Sequence, residues 1–125
     1  VVFHQQYWVS DGKKTRKIKI KQPIQKALIK GNPLSCMGVF IQREIALKNV
    51  FTEDRRISGS EDYELWLRYA AKFSFMYNQV CTSSLVVHNQ RSVFTTNKDK
   101  LIERKLLMLD YAFEDKDVER IFGKY

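Results

Sequence analysis

The sequence contains no uninterrupted apolar run of the roughly 18 residues that a membrane-spanning helix requires. Its first residues, Val1 to Trp8, lack the charged start, apolar stretch and small-residue cleavage site of a signal peptide. A soluble segment is expected. Cysteine is scarce: Cys36 and Cys81 sit apart, with no CxxC or Cys/His ligand spacing around them. In apolar surroundings both read as buried free thiols in preference to a disulfide or metal site, which fits a reducing, cytoplasmic compartment. Internal repeats, low-complexity tracts and linkers are also lacking, so residues 1–125 are expected to form a single domain.

What is present is apolar and basic. With 44% hydrophobic and 13% aromatic residues, the 125-residue chain can bury a core. The net charge of +8 is unevenly placed: Lys13, Lys14, Arg16, Lys17, Lys19, Lys21, Lys26 and Lys30 follow one another with no acid among them, and the rest of the chain mixes both signs. Such a cluster is either a solvated hairpin face or a contact for anionic lipid or a phosphate-bearing substrate.

Periodicity gives an α/β reading. Val1, Phe3, Tyr7 and Val9 alternate with polar positions, Asp11-Gly12 supplies a turn, and Ile18 and Ile20 alternate on the return, so 1–20 reads as a hairpin. A short helix is expected over 23–29, broken by Gly31-Asn32-Pro33. The apolar run 36–41 reads as a strand buried on both faces, and 43–48 as a short helix. After a polar loop over 51–59, Ser58 or Ser60 caps a helix to about residue 72, and Ser58-x-x-Glu61 matches a capping box. Tyr63, Trp66, Leu67 and Ala70 then share its core-facing side. Strands are expected over 73–77 and 80–87, joined tightly at Asn78-Gln79. The last expected helix covers 98–113, apolar at Leu101, Ile102, Leu106, Leu109 and Phe113, and a short polar tail follows.

The chemistry-bearing segment is Ser58-Gly-Ser-Glu-Asp-Tyr-Glu-Leu-Trp-Leu-Arg68, with adjacent acids in the first turn of a helix. The helix dipole and free amides favour anions there, so Glu61 and Asp62 serve either the helix start or a reaction. Glu64 and Arg68, at i and i+4, form an ordinary ion pair or part of a site. Trp66 and Tyr63 either fill the core or stack on a sugar. His88, in Val87-His88-Asn89-Gln90-Arg91-Ser92, ends a strand and is either a satisfied edge residue or a ligand contact.

Four segments together resemble the second half of family 2 glycosyltransferases: Asn32-Pro33-Leu34-Ser35, Val39-Phe40-Ile41-Gln42-Arg43, Phe51-Thr52-Glu53, and Ser60-Glu61-Asp62-Tyr63-Glu64-Leu65-Trp66-Leu67-Arg68. The resemblance runs from about residue 32 to residue 92. It implies a partial GT-A fold, a mixed sheet with an N-terminal hairpin and packed helices. It also implies an inverting transfer of a sugar from a nucleotide-sugar donor to a glycan or lipid-linked acceptor, with Asp62 as general base. Glu61, Trp66, Arg68, His88 and Arg91 become substrate-side candidates, His88 at the metal shell or phosphate and Arg91 at phosphate. The family's nucleotide-binding half, with the Asp-x-Asp motif that holds Mg or Mn, lies upstream of the Glu-Asp helix. Residues 1–125 would then be the C-terminal portion of a catalytic domain, inactive and metal-free alone, with a homodimer and peripheral contact at the inner membrane face as expected associations. The Asp-x-Asp found here, Asp115-Lys116-Asp117, follows the last expected helix and reads as solvated tail. The competing reading is a basic module for nucleic acid or an anionic surface, without catalysis. No motif supports it, and nucleic acid is not an expected partner.

Overall fold

The computed structural model describes residues 2–10, 15–17, 19–86 and 97–125. These residues combine helices with a mixed four-stranded sheet, in agreement with the α/β reading. The sheet is organised around β1 (Val2–Ser10). β2 (Thr15–Lys17) pairs antiparallel with its end, from Trp8↔Lys17 to Ser10↔Thr15, so the expected hairpin forms over 8–17, but its return strand stops short of Ile20, which lies outside the sheet pairing and is buried. Its turn, Asp11-Gly12, and its Ile18 lie outside the described residues. β3 (Val39–Ile41) pairs antiparallel with the start of β1, and β4 (Phe75–Val86) runs parallel to β1 from Val2↔Phe75 to Ser10↔Val86. Because β4 occupies one whole edge of β1, β2 and β3 share the other.

Two strand expectations change. Residues 75–86 form one strand, not two. The ladder passes Gln5↔Asn78, Gln6↔Cys81 and Tyr7↔Ser83, so the supposed tight joint is an irregularity that β4 absorbs while staying paired with β1. At its start the Asn78 side chain accepts the Val80 N–H at 2.9 Å, a local turn that advances the chain without reversing it. The run 36–41 is likewise half turn: Cys36–Gly38 is a 3-10 turn, and only Val39–Ile41 is strand. Val39, Ile41, Phe75 and Tyr77 pack on the core, whereas Phe40 and Met76 on the opposite sheet face are each 54% exposed. The strand is thus covered on one face, not two.

The core gathers around α3 (Glu61–Lys72), which buries Glu64, Leu65, Trp66, Leu67, Tyr69 and Ala70. Its first turn carries Glu61, Asp62 and Glu64, and its last carries Lys72, so charges of both signs complement the helix dipole. Three helices pack on it: α1 (Ile24–Ile29), α4 (Lys98–Phe113) and α5 (Lys116–Phe122). α2 (Arg43–Lys48), where a short helix was expected, has no buried residue. α4 has the expected bounds but seats itself through Met108 and Ala112, leaving Ile102 and Leu106 exposed. A small alanine and a flexible thioether allow closer approach than branched side chains at a helix contact.

The polar tail is a helix. Asp115 caps α5 by accepting the Asp117 N–H at 3.0 Å, and its carboxylate also pairs with Lys72. Burial alone would raise the Asp115 carboxyl, but the Lys72 ammonium and the N–H groups of Asp117 and Val118 outweigh it and hold it below its usual range. Val118 and Phe122 then enter the core. The short Asp-x-Asp therefore begins a helix and is not solvated tail. Phe122→Ala should cost about 3–5 kcal/mol, as for a buried aromatic, with a lowered urea midpoint. A midpoint within error of the parent would return 116–125 to the status of a tail.

Candidate functional site

The loop entering α3 decides where the paired acids point. Asp54 accepts the Arg56 N–H at 2.8 Å and starts the 3-10 turn Arg55–Ile57, whose Ile57 is buried. Gly59 then takes φ +88°, a backbone region that glycine enters without steric cost. This turn lets the Glu61 carboxylate fold back onto the Gly59 N–H. The expected capping box does not form: Ser58 ends the 3-10 turn, Ser60 is the N-cap, and its side chain makes no capping hydrogen bond. Glu61 serves the helix start by another route.

Asp62, half-buried, is the next residue. The Asn32 side chain favours the ionised form of its carboxylate. Asn32 Oδ1 accepts the Leu34 N–H at 3.1 Å, which fixes the amide and leaves its NH2 group to donate. The Cys36 thiol faces Asp62 Oδ2 at 3.9 Å. Burial pushes the Asp62 carboxyl above its usual range, the Tyr63 N–H and Asn32 partly oppose that, and the Glu61 charge reinforces it. Segment 32–36 and the start of α3 thus converge on one carboxylate. Sequence reasoning had Asn32 as a helix breaker and Cys36 as a buried thiol. In the structure Asn32 supports the ionised Asp62, and Cys36 is free and exposed with its thiol facing the same carboxylate.

The other candidates divide. Trp66 is 2% exposed and belongs to the core, so its ring offers no stacking face for a sugar. Arg68 Nε lies 2.5 Å from Glu64 Oε1, and Arg68 Nη2 bonds Glu64 Oε2 at 2.9 Å and the Val50 carbonyl at 2.7 Å. Thr52 Oγ1 adds a 3.1 Å bond to Glu64, itself 1% exposed. The pair is a buried clamp on the 50–52 loop, and the Arg68 guanidinium is engaged inside the protein. The Tyr63 hydroxyl donates to the Leu28 carbonyl, which ties α1 to the same helix. His88 and Arg91 lie outside the described residues, as does the side chain of Cys81.

Among the described residues no group of three or more His, Cys, Asp or Glu side chains is arranged to hold a metal ion. The Mg or Mn that the resemblance implies therefore finds no ligand set among the described residues. No described helix is long and apolar enough to cross a membrane. No protein-family model, curated protein or solved structure matches the chain.

The Cys36–Asp62 contact yields a direct test of the site. Desolvation of the sulfur, then the negative charges of Asp62 and Glu61, push the thiol above its usual range, so little reactive thiolate is present near neutrality. Asp62→Asn removes one of those charges and should speed alkylation of Cys36 by iodoacetamide at pH 8 roughly 2- to 10-fold, read by peptide mass spectrometry. An unchanged rate would mean that the two side chains do not meet.

Proposed function

We propose that this chain is the acceptor-side portion of an inverting glycosyltransferase resembling family 2, with Asp62 as its general base. The observation that carries this reading is the meeting of two segments of the resemblance, Asn32–Ser35 and Glu61–Asp62, at a single half-buried carboxylate. Burial raises its affinity for a proton, while Asn32 and the Tyr63 N–H support its ionised form. A carboxylate so placed is a better base than a free one and is held in one position.

In the proposed step the acceptor hydroxyl oxygen attacks the anomeric carbon from the face opposite the nucleoside diphosphate. Its proton passes to Asp62, the new glycosidic bond forms with inverted configuration, and the bond to the diphosphate breaks. The role of this chain is to orient the hydroxyl and take the proton. The donor is a nucleotide sugar, and the acceptor is a glycan or lipid-linked sugar. A cytoplasmic location at the inner membrane face belongs to the same proposal. Glu61, turned back on Gly59, shapes the entry to the site, whereas Trp66 and Arg68 support it from inside the protein.

Asp62→Asn, measured in the enzyme that includes the nucleotide-sugar-binding half, should lower kcat by about 10²- to 10⁴-fold with little change in donor affinity and no loss of thermal stability. The amide preserves the shape but cannot accept the proton. Glu61→Gln should be much milder, because an amide oxygen can still accept the Gly59 N–H. Near-normal turnover by Asp62→Asn would remove Asp62 from the mechanism.

A further inference from the structure

The lysine-rich segment is unused by the proposed reaction, and part of it surrounds a pocket. α1 and the residues before it form, with Tyr125, a concavity of about 380 Å³ lined by Lys21, Gln22, Lys26, Ala27, Ile29 and Lys30. The three lysines are exposed, and none has an ion-pair partner among the described residues. The chain supplies no acid between Asp11 and Glu44, so the segment that carries the three lysines offers them no counterion of its own. Its floor has a different character. Ala27 and Ile29 add hydrocarbon to the lining, and Ile29 is 38% exposed.

We propose that this pocket binds a phosphate monoester carrying an apolar group. Three ammonium groups suit a compact dianion, which each lysine can approach as a point charge. The hydrocarbon floor suits an alkyl body beside the phosphate, since apolar contact strengthens binding in proportion to the area removed from water. An unsubstituted glycan has neither feature. A nucleic-acid backbone offers phosphodiesters with one charge each and fits the apolar floor poorly. The proposal stands on the pocket alone and is independent of the role given to Asp62.

The test follows backbone amide shifts by NMR during titration with inorganic phosphate and with hexyl phosphate. Full burial of a methylene strengthens binding by roughly fourfold, so even partial burial of the chain predicts a Kd for hexyl phosphate at least about tenfold below that of phosphate. The shifts should centre on Ala27, Ile29 and Lys30. Combined Lys21→Gln, Lys26→Gln and Lys30→Gln, all at exposed positions, should weaken hexyl phosphate by at least about tenfold while leaving the melting temperature in place. Vesicle sedimentation then separates the two sources of the ligand. Preference for phosphatidic acid over phosphatidylserine identifies a lipid headgroup, and binding of hexyl phosphate without that preference identifies a soluble monoester. Equal affinity for the two phosphates, shifts confined to the hairpin, or full binding by the triple variant would overturn the proposal.

Discussion

The Glu64 carboxylate lies inside the core, and that placement is tolerable only because Arg68 and Thr52 surround it with donors. An unpaired buried carboxylate costs several kcal/mol, and breaking such a pair from one side typically costs about 3–5 kcal/mol. The pair does more than neutralise a charge. Through the Val50 carbonyl it fixes the loop that leads into the Asp54 turn, and Tyr69 supports the same loop by donating to the Asn49 carbonyl at 2.8 Å. Because that loop leads into the start of α3, the position of Asp62 depends on a clamp between the first turn of the same helix, at Glu64, and the next, at Arg68.

Around this helix, three aspartates are held in different electrostatic states. Asp54, gripped by Arg56 and by the Tyr111 hydroxyl, is held far below the usual carboxylate range, and Asp115 is lowered by Lys72 and backbone N–H groups once burial is overcome. For both, ionisation favours the fold. Their contribution is complete above the unfolded pKa and is lost as pH falls through the folded value. Asp62 has the opposite sign: with its folded pKa raised, its ionised form opposes folding, and that cost sets in as pH rises from the unfolded value through the folded one. Two aspartates thus stabilise the frame, and the third is tolerated within it. On the proposed reading of Asp62 as a base, its working state is the one that weakens the fold, a trade that reactive sites are expected to make.

Helical periodicity carried most of what was legible in advance. α3 and α4 begin and end close to where the apolar spacing puts them, and the two arms of the hairpin pair over 8–17. The failures share a cause. The Asn78-Gln79 step resembles a turn locally, and only pairing with a strand some seventy residues earlier keeps 75–86 continuous. The tail looks polar because α5 exposes most of its surface and anchors through Val118 and Phe122, too sparse a pattern to stand out. At the site, the paired acids were visible from their position in the helix. Asn32 was not, since an Asn before a proline carries a turn signal whether or not its side chain also reaches a carboxylate. Cys36 was misplaced because an apolar neighbourhood in sequence does not determine which side chain of a 3-10 turn faces solvent.

The central claim is that the start of α3 holds a carboxylate whose surroundings raise its proton affinity while its neighbours in the frame have theirs lowered. It is tested most directly by an NMR titration of the aspartate side-chain carboxyl carbons, assigned through Asp62→Asn, Asp54→Asn and Asp115→Asn. The account predicts that Asp62 titrates above the ordinary value of about 3.9, that Asp54 and Asp115 titrate below it, and that Asn32→Ala moves Asp62 higher still. An Asp62 that titrates at or below the ordinary value, unmoved by the loss of Asn32, would contradict it.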